Sequence, residues 1–154
     1  MLFLMFRIGA DRYVLDVDQI EQVLPLMAAK EVPGAPYGVV GVINYHGDPV
    51  PLVDLSQMAT GTPSTPVMST RIILVRYPMP EGEPVRLALC AERAIEAIKR
   101  EPADFVATGL EAGTPAFLGP VAADEQGLIQ WVKAQALLTD EIREILFRHA
   151  GAPV

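Results

Sequence analysis

Residues 41–55 read Gly41-Val42-Ile43-Asn44-Tyr45-His46-Gly47-Asp48-Pro49-Val50-Pro51-Leu52-Val53-Asp54-Leu55. Val42 and Ile43 are strand formers, His46-Gly47-Asp48 has turn chemistry, and Val50, Leu52 and Val53 restart an apolar pattern. The stretch predicts a strand, a glycine turn and a second strand that runs into a short helix. Asp54 stands just before Leu55-Ser56-Gln57-Met58, where a carboxylate accepts the first free N–H groups of a helix. That cap is a simpler role for Asp54 than a catalytic acid at a strand end. Nothing in the segment pairs a nucleophile with a base.

Working outward, similar short runs recur at Leu2–Ile8, Tyr13–Val17, Val39–Tyr45, Val50–Asp54, Arg71–Tyr77, Val85–Ala91, Ala94–Ile98, Phe117–Ala122 and Leu128–Val132. Fourteen prolines and twelve glycines separate them, which leaves little room for long helices. Turns are expected at Gly9-Ala10-Asp11, at Pro80–Pro84 and at Asp124–Gly127. The pattern predicts a mainly β protein, a barrel or sandwich of short strands. Asp18–Val23 reads as a turn of helix or a strand edge. The clearest helix is Thr139–His149: Thr139 caps it, Asp140 and Glu141 sit in its positive first turn, and Arg148 and His149 complement its negative end. Ile142, Ile145 and Leu146 share one face and are expected to pack on the strands, with Gly151 as the stop.

The 154 residues, 51% of them hydrophobic, suit one ordinary domain or two small lobes sharing a core. Ile20-Glu21-Gln22-Val23 is echoed by Ile95-Glu96-Ala97-Ile98, and Gly41 by Gly119, at nearly one offset. The echoes suggest a duplicated pair of small barrels within a single domain 1–154, divided near the polar stretch 59–70 and completed by the terminal segments. The apolar start lacks a basic leader and is interrupted by Arg7, so a first strand is expected there rather than a signal peptide. No apolar run approaches the roughly 18 residues of a membrane span, and a cytoplasmic protein without direct membrane insertion is expected. The one cysteine, Cys90, lies in an apolar run and reads as a buried, inert thiol.

A net charge of −7 argues against nucleic acid and against an anionic membrane surface as partners. The two histidines, His46 and His149, are not spaced as metal ligands. No phosphate cradle, Cys-x-x-Cys or Gly-x-Ser-x-Gly is present. Asp16, Asp18 and Glu21 could suggest a metal, and a solvated edge is the simpler reading. No catalytic residue, metal or cofactor is expected. Tyr13, Tyr45 and Trp131 could line a ligand box, with core packing the default. His46 in a turn is first a surface residue.

These residues carry a family likeness. Phe3–Val23 resembles the opening of CheW-type coupling proteins: a strand, a glycine-containing turn, a Tyr-led strand and an Ile-Glu turn. Pro33-Gly34-Ala35-Pro36-Tyr37 is similar to the family's proline-rich lead-in. Gly41–Leu55 resembles its signature G-V-x-N-x-R-G-x-x-x-P-[VI]-x-D-L. Weaker likeness continues through Arg71–Val75, Leu87–Ile98 and Phe117–Leu138. The resemblance implies two SH3-like β-barrels with short helices and a C-terminal helix. It also implies a stand-alone, non-enzymatic adaptor coupling chemoreceptor cytoplasmic hairpins to the regulatory domain of a CheA-type histidine kinase, in receptor arrays at the inner face of the membrane. In the family one barrel packs on the kinase, and the groove between barrels takes the receptor hairpin. The family's exposed functional positions map onto Ile20, Gln22, Gly41, Asn44, His46 and Gly47. Gly41 would admit a partner helix, and Ile20 would offer an apolar contact. Gln22 stands where the family carries Glu, and His46 where it carries Arg. A charge pair would thus have become a neutral or pH-dependent hydrogen-bonding pair, which suggests a divergent interface. The start and the C-terminal helix also resemble coupling proteins of Wsp-type surface-sensing pathways, with a pilus-twitching pathway as the near alternative. The other functional class open to such a chain is a small β-barrel ligand-binding domain or enzyme with a pocket between the lobes.

Overall fold

The computed structural model describes residues 1–147. Among them nine strands appear: β1 (Leu2–Ile8), β2 (Asp11–Asp16), β3 (Ile20–Pro25), β4 (Val39–Tyr45), β5 (Asp48–Asp54), β6 (Arg71–Tyr77), β7 (Val85–Lys99), β8 (Leu118–Asp124) and β9 (Gly127–Val132). Helix α1 (Leu55–Thr60) follows β5, and α2 (Asp140–Leu146) follows β9. The chain is mainly β, as its punctuation by proline and glycine predicts. Asp18–Val23 resolves into a 3-10 turn at Val17–Gln19, capped by Asp16, and then β3.

Two hydrogen-bonded sets share β7. Its first half pairs antiparallel with β6 and parallel with β5, while β6 also holds β3 and β5 holds β4. Its second half pairs with β1, which leads through β2 to β9 and β8. The expected strands Val85–Ala91 and Ala94–Ile98 are therefore one strand. It is bent at Arg93, a non-glycine residue at φ 52°, where its register against β1 shifts. The stretch 59–70 joins α1 to β6 and so lies inside the middle set. It does not divide the two sets; β7 passes between them instead. The echo of Gly41 in Gly119 has a topological counterpart. Hairpin β4–β5 joins its set by a parallel ladder to β7, and hairpin β8–β9 joins its own by a parallel ladder to β2.

Period-two alternation explains the packing. Ile72, Leu74, Ala88 and Cys90 face one apolar cluster inside the middle set, with Ile43, Val50 and Leu52. Their neighbours Ile73, Val75, Tyr77, Leu87 and Leu89 face the opposite way, into a large central cluster shared with Leu4, Phe6 and Leu15. Phe3, Val14, Phe105, Ala122 and Ile129 fill the third cluster, inside the terminal set. Trp131 packs there against both phenylalanines, at centroid separations of 4.9 and 5.1 Å. A strand such as β6, buried on both faces, reads as a continuous apolar run for this reason.

Helix α2 starts as expected, Thr139 Oγ1 accepting from the Ile142 N–H at 3.2 Å. Ile142 and Leu146 pack on the central cluster. Ile145 does not: it is half exposed and turns toward a surface groove. Arg148, His149 and Gly151, expected at the helix end, lie outside the described residues.

Candidate functional site

The β4–β5 connection is a two-residue hairpin closed by the Tyr45–Asp48 pair. His46 and Gly47 both take positive φ, 52° and 88°, the geometry that matches the twist of the flanking strands. Asn44 Oδ1 accepts from the Gly47 N–H at 2.7 Å and sets the turn. Three of the sequence-predicted residues thus sit together, Asn44 and Gly47 shaping the loop that presents His46 to solvent.

Tyr45 joins this loop to β3. Its hydroxyl donates to Gln22 Oε1 at 2.8 Å, and the His46 ring stands edge-on to it at 4.5 Å. Gln22 and His46 therefore meet through Tyr45, which holds the Gln22 carbonyl. Arg86 reaches the same place from β7. Its guanidinium carbon lies 5.0 Å from the Tyr45 ring centroid. Its Nε donates to Glu21 at 3.1 and 3.3 Å, and Nη1 donates to Asp48 at 3.0 Å. Glu21 foremost, and Asp48 with it, raise the Arg86 pKa above its ordinary value.

Two predicted residues stand elsewhere. Gly41 is buried, and a Cβ there would overlap the Lys30 carbonyl. Lys30 and Val42 exchange backbone hydrogen bonds at 2.8 and 2.9 Å. The close approach that Gly41 permits is thus made by the chain's own residues 30–31, not left open to a partner helix. Ile20 is half buried and packs against the central cluster. Arg86 and Asp48 were not singled out as site residues from the sequence, while Tyr45 was weighed there only for a ligand box and Glu21 only for a metal. Arg86 is 65 residues from Glu21 and 38 from Asp48; the β3–β6–β7 ladder brings Glu21 to it, and the parallel β5–β7 ladder brings Asp48. Of the carboxylates that could suggest a metal, Asp16 caps the 3-10 turn and Glu21 is bonded to Arg86.

Beside this cluster runs a groove of about 920 Å³. Val42, Val50 and Val85 form its apolar wall, Ile145 and Leu146 at the end of α2 with Phe147 just after it form another side, and Glu21, Arg76, Glu83 and Arg86 supply charge. The groove thus combines apolar walls with a charged rim, a composition that protein–protein contact surfaces share.

Residues 2–142 match the CheW-like domain family. The chain belongs to that family. Among solved structures, the scaffolding protein TtCheW from Thermoanaerobacter tengcongensis aligns with a TM-score of 0.80 at 20% identity, over 94% of this chain and 92% of that one. At that identity the likeness is one of fold, and it extends across both hydrogen-bonded sets. No curated protein matches the chain. Within the CheW-like family, this chain carries its turn histidine together with a cation supplied from β7.

Proposed function

We propose that this CheW-like chain is a non-enzymatic adaptor coupling chemoreceptor cytoplasmic hairpins to the regulatory domain of a CheA-type histidine kinase, at the cytoplasmic face of the membrane. The observation that carries the reading is the groove beside the β4–β5 turn. Its apolar walls supply contact area, and its charged rim of Glu21, Arg76, Glu83 and Arg86, with His46 on the adjoining turn, supplies partner choice. Asn44 and Gly47 act by holding the turn. Single contacts of this kind are weak and become durable when repeated across an array. No helix among the described residues is long and apolar enough to cross a membrane, which suits a protein that reaches receptors by binding them.

A second cavity, about 650 Å³, opens between residues 26–31 and 63–66. Its polar floor is Cys90 and Asp54. Burial pushes the Cys90 thiol up to about 11, so at neutral pH it is not a nucleophile. Asp54 accepts from the Ser56, Gln57 and Ser64 N–H groups and from Ser64 Oγ. Both groups are committed to structure, which favours the adaptor over an enzyme with a pocket.

The test is calorimetry of the purified chain with a CheA-type regulatory domain and, separately, with a receptor hairpin from the same genome. Saturable binding of both with Kd near or below about 100 μM supports the adaptor. Failure of both to bind at millimolar concentration overturns it.

A further inference from the structure

Arg86 stands where two concavities meet. With Asp48 it lines both the large groove and a smaller cup of about 400 Å³ beside Tyr45, His46 and Gly47. Glu21 from β3, Asp48 from β5 and the Tyr45 ring at the end of β4 hold its guanidinium from three sides. The side chain is nevertheless 42% exposed. It is therefore ordered before any partner arrives, and binding loses little rotamer entropy there. Nη2 keeps its two N–H groups without an acceptor among the described residues. Gln22 beside it gives its carbonyl to Tyr45, which leaves its NH₂ group as a second outward donor.

Electrostatics decide what these donors can read. Two carboxylates around one guanidinium leave the cluster with a negative surplus, and along the groove Glu83 and Arg76 offset each other, so the surplus stands. An incoming carboxylate would gain an N–H contact and meet that repulsion. An uncharged carbonyl oxygen takes the same N–H without it.

We propose that Arg86, supported by Tyr45, is the specificity-determining residue of this surface, reading an uncharged carbonyl oxygen on a helical segment laid across the groove and discriminating against an acidic one. The inference rests on the adaptor reading and names the chemistry of the partner at that site.

The test is titration of the full chain with the receptor hairpin and with the kinase regulatory domain. Arg86→Ala weakens hairpin binding about tenfold, as expected for loss of a hydrogen bond from a charged donor, while kinase-domain binding and the thermal melt are unchanged. Arg86→Lys weakens it as well, because an ammonium cannot hold Glu21, Asp48 and the partner in one plane. Wild-type hairpin affinity changes by less than about threefold between 50 and 500 mM salt, whereas the double variant Glu21→Gln with Asp48→Asn, left with an uncompensated cation, becomes clearly salt-dependent. Hairpin binding that Arg86→Ala leaves intact overturns the inference and leaves the adaptor standing. So does wild-type affinity that falls more than about tenfold with salt, the signature of an acidic acceptor. A wild-type chain that binds neither hairpin nor kinase domain overturns the adaptor reading, and this inference with it.

Discussion

At the residue scale, three positions show how local chemistry is committed to structure. Asp54 was readable as a helix cap, and its carboxylate also anchors the returning loop through the Ser64 N–H at 2.8 Å and hydroxyl at 2.7 Å. Asp54→Ala should cost about 2–3 kcal/mol, since it removes a cap and strands buried N–H groups, and urea unfolding measures this. Gly41→Ala should cost at least about 2 kcal/mol, because the obstacle is backbone that cannot yield cheaply. A full-stability Gly41→Ala protein would contradict the close packing against Lys30. Cys90 is held in its neutral form by burial first and by the nearby Asp54 charge second. Its contribution to stability is therefore complete below the ordinary thiol range and is lost as pH rises toward about 11. Native protein at pH 8 should resist alkylation by iodoacetamide and react promptly once unfolded, a difference that mass spectrometry reads directly.

At the element scale, the β4–β5 hairpin and the bend in β7 are where backbone conformation and sequence disagree. His46 occupies a left-handed position for which Asn is better suited. His46→Asn should stabilise the fold by about 0.5–1 kcal/mol, raising Tm by about 2 °C for a chain of this size. Gly47→Ala should lower stability by about 1 kcal/mol. Thermal melts followed by circular dichroism check both signs. The existence of this hairpin was legible because turn residues and apolar alternation agree over residues 41–54. The continuity of β7 was not. Arg93 takes positive φ, and the register slips beside it, so a period-two reading breaks the strand in two although the backbone continues. Helix α2 began where its cap predicted, yet Ile145 faces the groove, because the strands cover only the Ile142–Leu146 side.

At the scale of the whole molecule, the terminal set is tied together by charge as well as by its core. Arg12, 7% exposed, makes a bidentate pair with Asp124 at 2.6 and 2.8 Å, and Arg100 adds a third contact at 3.2 Å. These bonds link β2, the β8–β9 turn and the chain just beyond β7. Arg12 chiefly, with Arg100, holds the Asp124 carboxyl well below the usual carboxylate range. A carboxyl whose folded pKa is depressed contributes stability above its unfolded pKa and loses it as pH falls. Asp124→Asn should therefore cost about 2 kcal/mol at pH 7, less than a fully buried pair because Asp124 keeps some solvent contact. It should cost progressively less below about pH 4, flattening the acid limb of the stability curve. An Asp124→Asn protein with an unchanged acid limb would show that the triad contributes nothing net.

By itself the sequence determined the β class, the turn and cap chemistry, the buried thiol and the family likeness, because each rests on neighbours within a few positions. Strand alternation, a carboxylate before a helix and a glycine turn are local consequences of backbone sterics and hydrogen bonding. Tertiary structure alone decided which strands share a set, why residues 59–70 do not part them, and that Gly41 serves Lys30. It also decided the composition of the proposed partner surface. Gln22 and His46 were visible as departures from a family pattern, but Tyr45 joins them, and the cation beside them comes from β7. Arg86 meets Glu21 and Asp48 across separations of 65 and 38 residues. Such a meeting is set by strand order and register, which local propensities do not encode.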